Sequence, residues 1–133
     1  MPESITVTIP IGASAAGGVS AADDYYTCHG QAGEWKLGAA YFVPMLAVTA
    51  DASNYVSFQI ENGFEGTSTT VSSAMTTATV AMAIGTVREF TLTENTSREF
   101  GPTDVIFVDH DEAGTFSANV EGTIVCRFDK IRA

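Results

Sequence analysis

Side chains that branch at Cβ dominate this sequence and restrict what the chain can fold into. The 133 residues include 17 Thr, 12 Val and 8 Ile, against 3 Leu and 2 Lys. Branched side chains are stiff at χ1 and fit a pleated sheet better than a helix. Apart from Ala, good helix formers are scarce. We therefore expect an all-β fold of strands and tight turns.

Apolar and polar residues alternate in several short segments, as half-buried strands require. In residues 5–11, Ile5, Val7 and Ile9 share one face and threonines occupy the other. Further strands are predicted over residues 55–60, 87–93, 105–108 and 120–131. Strands at this spacing, separated by turn residues, predict an antiparallel β-sandwich or barrel.

Residues 12–34 interrupt this pattern and predict a long N-terminal loop. Such loops are often functional or mobile, and Tyr25 and Tyr26 are suited to anchor this one against a neighbour. We hypothesise that the loop and the strand carrying Ile5, Val7 and Ile9 contact a partner. The predicted organisation is a single β-sandwich domain over 1–133, with a strand and flexible arm at 1–34 and the sandwich body at 35–133.

The charge balance disfavours whole classes of partner. Six basic residues face sixteen acidic ones, which gives a net charge of −10. This balance repels nucleic acid backbones and anionic membranes. No window approaches the roughly 20 apolar residues of a membrane span, and the N-terminus does not resemble a secretory signal. We expect a protein made in the cytoplasm that binds neither nucleic acid nor membrane.

The residues that could carry chemistry do not form a familiar site. Cys28 and Cys126 are interpreted as free thiols, and Cys126 as a small core residue. His110 lies in an acidic segment, residues 109–114, that is interpreted as a polar turn whose spacing fits no EF-hand loop. Cys28 and His29 are adjacent, so on a strand they would point to opposite faces. No catalytic, cofactor or metal site is predicted, and the chain is not expected to be an enzyme.

The aromatic residues leave two interpretations open. Five of them, Trp35, Tyr41, Phe42, Tyr25 and Tyr26, are suited either to core packing and subunit contacts or to an aromatic platform for sugars. An exposed Trp35 would favour the sugar platform, and a buried one would count against it.

The order of strand cores and turns over residues 38–131 resembles the small β-sandwich virion proteins of tailed bacteriophages, notably the capsid cement, or decoration, proteins. The segments that carry the resemblance are Tyr41-Phe42-Val43-Pro44, residues 48–56, Gly85-Thr86-Val87, Glu89-Phe90-Thr91-Leu92, Phe100-Gly101-Pro102-Thr103-Asp104-Val105 and Asp111-Glu112-Ala113-Gly114-Thr115.

The resemblance implies a jelly-roll-like domain, often a homotrimer, that binds the outer surface of the phage head. It would stabilise contacts between major capsid proteins, with no cofactor and no catalysis. A predicted edge strand and extended arm suit such clasping, and the partner residues expected to take part are Ile5, Val7, Ile9, Tyr25, Tyr26 and Trp35.

Two alternatives remain beside the capsid interpretation. The first is a carbohydrate- or receptor-binding β-domain of a phage tail or fibre. The second is a periplasmic or surface β-domain, which an oxidised Cys28–Cys126 pair would favour because disulfides are rare in the cytosol.

Overall fold

The computed structural model describes residues 3–12, 24–116 and 120–133, and in them the chain is all-β. One 3-10 turn, Thr96–Arg98, interrupts the strands, and no helix in the described ranges is long and apolar enough to cross a membrane. The strands are Ser4–Ile11 (β1), Tyr25–Thr27 (β2), Glu34–Pro44 (β3), Val56–Asn62 (β4), Thr69–Thr70 (β5), Met75–Thr76 (β6), Arg88–Glu89 (β7), Glu99–Phe100 (β8), Ile106–Glu112 (β9) and Gly122–Arg132 (β10).

The strands form two antiparallel sheets that curl as a half-barrel. Sheet A has the order β1-β10-β3-β7, and β8 also pairs with β3. Sheet B has the order β2-β9-β4-β5, and β6 also pairs with β4. The long strands β3 and β10 lie at the centre of sheet A, while β1 forms one edge. That edge position accommodates Pro10, which has no backbone N–H to donate.

The inner faces of both sheets contribute to one apolar core. Phe42 on β3 and Phe58 on β4 stack across the gap between the sheets, with ring centroids 5.3 Å apart. Phe128 on β10 packs edge-on against Phe100 on β8. The alternating burial of β1, β4 and β10 follows the alternation in the sequence, which confirms the predicted strand faces.

The predicted polar turn at 109–114 is wrong, because β9 continues through it to Glu112. Inside β9, His110 lies on the inner face and is buried, whereas Asp109 and Asp111 lie on the outer face. The chain turns only near Gly114, whose φ of 66° is favourable for glycine. The predicted central strand is confirmed, since β9 lies between β2 and β4.

Two other segments differ from the sequence-based expectation. The predicted loop at 12–34 contains β2, which pairs with β9, although residues 13–23 of the loop lie outside the described ranges. The predicted strand at 87–93 is regular only at β7. Further along that segment, Leu92 forms an isolated bridge with Ser72. The three residues of β2 are too few for an alternation of apolar and polar side chains to reveal that strand.

A close approach at Gly122 provides a test of this packing. An added Cβ there would lie against the Val43 carbonyl oxygen and 2.7 Å from the Phe42 ring. We expect Gly122→Ala to lower the free energy of unfolding by about 1–3 kcal/mol, because a well-packed core has no room for another methyl group. Urea denaturation measures this change.

Gly12→Ala is the matched control, since a Cβ at Gly12 would meet nothing within 4 Å. Its expected effect is within about 0.5 kcal/mol. Equal stability of the two variants would contradict the packing described at the start of β10.

Candidate docking surfaces

The predicted contact residues of β1 point into the protein. Ile9 is buried, while Ile5 and Val7 are half-buried and pack against the core. The alternation that predicts the strand also directs these three side chains inward. The exposed side of β1 presents Thr6 and Thr8 instead.

Trp35 is a core residue rather than part of a sugar platform. Its side chain is 2% exposed, and its indole N–H donates a hydrogen bond to the Ala32 carbonyl, at 2.9 Å. The Lys130 ammonium lies 5.6 Å from the ring centroid. Tyr41, the expected neighbour in a platform, lies half-buried on the other face of β3.

The two adjacent tyrosines of β2 have opposite orientations. Tyr25 faces inward, where its ring stacks on His110 at 6.3 Å and its hydroxyl accepts a hydrogen bond from the Gly12 N–H. Tyr26 faces outward and is 44% exposed. Among the six predicted contact residues, Tyr26 therefore presents the most accessible large side chain.

Tyr26 belongs to an aromatic patch on the outer face of sheet B, which we define as Tyr26, Phe64 and Phe107. Tyr26 stacks on Phe107 with ring centroids 4.8 Å apart and an interplanar angle of 5°. Phe64 lies 5.3 Å from Tyr26 and is 60% exposed. Phe107 is almost fully covered although it faces outward, so the patch is already packed before any partner binds.

Phe64 is not among the contact residues predicted from the sequence. It lies in the loop after β4, between Gly63 and Gly66, both of which adopt positive φ. A large aromatic residue in a polar, glycine-rich hairpin loop has no nearby core to enter. That local contrast is the signal that would have identified it.

Carboxyl groups lie beside the aromatic patch, since the strand pairing sets Glu61 opposite Phe107 and Asp109 two residues further along β9. We call the following residues the acidic ring: Asp24, Glu61, Glu65, Asp109 and Asp111. The Asp24 carboxylate accepts a hydrogen bond from the backbone N–H of His110 at 3.2 Å, and the Glu61 carboxylate accepts one from the Ser68 hydroxyl at 2.6 Å. These contacts hold two members of the ring in place.

Proximity of the carboxyl groups perturbs their titration. Partial burial, followed by the charges of Asp111 and Asp24, raises the pKa of Asp109 to about 7. The hydrogen bond to the Asp24 side chain raises the pKa of Glu65. Partial burial and the neighbouring carboxylates raise the pKa of Tyr26, so its phenol is neutral.

The basic residues lie elsewhere. Their positions are Lys36, Arg88, Arg98, Arg127, Lys130 and Arg132. Five of them belong to β3, β7 and β10 of sheet A, and Arg98 belongs to the 3-10 turn. No basic side chain of the sequence is on a strand of sheet B, so the acidic ring has no basic neighbour on its own sheet.

A second exposed surface lies at one end of sheet A, and we define this apolar patch as Val43, Met45, Ile84 and Val87. Met45, Ile84 and Val87 are 62%, 66% and 53% exposed. The pairing of Phe42 with Arg88 places Val43 beside Val87, and the Gly85 N–H donates to the Pro44 carbonyl. The sequence does not predict this patch because Val43 and Met45 lie far along the chain from Ile84 and Val87, and only the pairing of β3 with β7 brings them together.

The candidate metal and thiol residues are separated by the fold. Asp109 and His110 lie on opposite faces of β9, and the described residues hold no group of three or more His, Cys, Asp or Glu placed for a metal. Both cysteines are free. Cys126 is buried as predicted, and burial raises its pKa to about 12. Cys28 is exposed on the opposite side of its segment from buried His29.

His29 has a structural role. Its Nδ1 accepts a hydrogen bond from the Gln31 N–H at 3.0 Å, so the proton of the neutral ring lies on Nε2 and is donated to the Phe100 carbonyl at 2.9 Å. Both ring nitrogens thus tie the segment before β3 to β8.

Arg98, which lines a shallow notch beside β3, also has a structural role. Its guanidinium donates to the Leu37 and Thr93 carbonyls and pairs at 3.2 Å with Glu94, which also lines the notch. These bonds fasten the segment after β7 to β3.

Comparisons of the chain with protein-family models, curated proteins and solved structures gave no match. The two patches and the acidic ring are therefore interpreted from their own chemistry.

The raised pKa of Asp109 predicts a pH-dependent stability. Folding favours the protonated carboxyl, so the contribution of Asp109 is unfavourable above pH 7 and disappears as the pH falls towards the usual value of 3.8. We expect Asp109→Asn to raise the free energy of unfolding at pH 8, because it removes this unfavourable charge. The gain should be only about 1 kcal/mol, because solvent screens this half-exposed group. At pH 5 the gain should be smaller.

Urea denaturation of both proteins at pH 5 and pH 8 measures this difference. Glu121→Gln, an equivalent change outside the acidic ring, should not alter the pH dependence. An Asp109→Asn variant with the same pH dependence as the parent would contradict the assignment.

Proposed function

We propose that the protein is a virion structural protein, a capsid cement or decoration protein that binds the outer surface of a tailed-phage head. The observation that carries the proposal is the placement of exposed apolar side chains in two separate patches, one on each sheet. A protein that stabilises contacts between neighbouring major capsid proteins needs more than one contact surface.

The architecture supports this role. Two antiparallel sheets share one core, as a jelly-roll-like β-sandwich would, and the strand-and-turn pattern of residues 38–131 resembles that of cement proteins. Paired antiparallel strands hold Tyr26, Phe107 and Val43 in fixed positions, which reduces the entropy lost on docking.

The two patches suit different contacts. The aromatic patch, with its acidic ring, suits a basic region of the major capsid protein. The apolar patch has no charged member and suits a sister subunit in a homotrimer, because association there brings no like charges of the patch together. The proposed location is the capsid surface of the virion, after synthesis in the host cytoplasm.

The burial of Trp35 counts against the alternative of a glycan-binding tail or fibre domain, since a sugar platform needs an exposed ring face. Glycan retention is nevertheless a measurable outcome and is included in the test.

Light scattering and co-sedimentation test the proposal. We expect a native mass three times that of the chain, and a protein that pellets with expanded phage heads but not with unexpanded ones. Val87→Asp should abolish the trimer, because it places a charge in the apolar patch. Ile131→Asp, at an exposed apolar position outside both patches, should leave the trimer intact.

A monomer that does not sediment with heads and is retained on a glycan column would overturn the proposal in favour of the tail or fibre role.

A further inference from the structure

We propose that the aromatic patch is a docking site for an arginine side chain of the partner protein. The arginine would be held between the aromatic side chains of Tyr26 and Phe64 and the carboxyl groups of the acidic ring. This inference rests on the proposed function, since it specifies the partner chemistry at one of the two contact surfaces.

The aromatic part of the site is preformed. Tyr26 is fixed by the pairing of β2 with β9, which sets it opposite Phe107, and its ring lies flat on Phe107. One face of the Tyr26 ring is therefore covered, and the planes of the Tyr26 and Phe64 rings are inclined at 38° to each other. Both exposed rings offer π surface to a planar cation without rearrangement of the sheet.

Charge complementarity selects a cationic occupant. The ion pairs among the residues that the structure describes engage Glu3, Glu94, Glu99 and Asp129, all outside the acidic ring. No basic side chain of the sequence is on a strand of sheet B. A positive group brought by a partner would offset the repulsion within the ring.

Arginine fits this arrangement better than a metal ion or lysine. The carboxyl groups come from different strands and loops, and in the described ranges they form no group placed to hold a metal. A guanidinium is planar, so it stacks on aromatic faces and binds carboxylates through two parallel hydrogen bonds. A lysine ammonium supplies the charge without the planar stacking.

Protons compete for the same site. Asp109 lies two residues along β9 from Phe107, on the same outer face of sheet B. Partial burial and the charges of Asp111 and Asp24 raise its pKa to about 7, so a proton competes with a cation for this carboxylate near neutral pH. Binding of a guanidinium should therefore strengthen as the pH rises from 6 to 8.

The groups that face Asp109 come from every neighbouring element. Asp24 precedes β2, Glu61 is on β4 and Asp111 is on β9 itself, while Glu65, in the loop after β4, contacts Asp24. Because all of them are acidic, ionisation of each adds attraction for the cation and repulsion among the carboxylates.

The fluorescence anisotropy of a labelled peptide, measured as the protein is added, tests the inference. The probe is a fluorescein-labelled decapeptide of Gly and Ser that contains two arginines. The comparison peptides carry lysine or citrulline at the same two positions, citrulline being the uncharged isostere. We expect the arginine peptide to bind, lysine to weaken binding at least about threefold, and citrulline to abolish it.

Variants locate the binding site. Phe64→Ser should weaken arginine-peptide binding by roughly tenfold or more, as loss of an aromatic anchor does. Ile131→Ser is the matched control, since it removes an exposed apolar side chain that lies outside both patches, and it should leave binding unchanged. Tyr26→Ala gives a second measurement, with circular dichroism to confirm folding because it uncovers Phe107.

Three results would overturn the inference: no binding of the arginine peptide, equal binding of the citrulline peptide, or equal losses in Phe64→Ser and Ile131→Ser. Undiminished head binding by Phe64→Ser would also overturn it while leaving the cement role intact. Conversely, a protein that binds the peptide but never sediments with heads would overturn the cement role alone.

Discussion

A stack of rings joins the two sheets and determines what the surface can present. It runs from Phe42 on β3 to Phe58 on β4, then to His110 on β9 and Tyr25 on β2, with centroid separations of 5.3, 4.5 and 6.3 Å. Because neighbouring residues of a strand point to opposite faces, the inward position of Tyr25 forces Tyr26 outward. The core thus fixes the exposed ring that we assign to docking.

The predictable part of the fold is the part in which burial and hydrophobicity coincide. Residues 5–11 and 120–131 alternate clearly, and they form β1 and β10 with the expected faces inward. β9 could be predicted only in its apolar half. Its second half places His110 and Glu112 at buried positions, where polarity hides the strand from a hydrophobic pattern.

The candidate site was predictable in one residue and not in the rest. Tyr26 is predictable because it is an aromatic residue in a segment without strand alternation. Phe64 and the acidic ring come from a loop and three separate strands or their ends, so their proximity depends on the pairing of β2, β9 and β4. Sequence spacing carries no information about that pairing. Trp35 shows the converse, because a conspicuous aromatic residue proved to be a core side chain.

The separation of charges between the sheets has a kinetic consequence. With every basic side chain on sheet A or the 3-10 turn, the sheet B side is the more negative end of a molecule of net charge −10. Such asymmetry gives the molecule an electric dipole, and a positively charged surface will turn it so that the aromatic patch arrives first. Orientation before contact raises the association rate, and added salt reduces this advantage as the Debye length shortens.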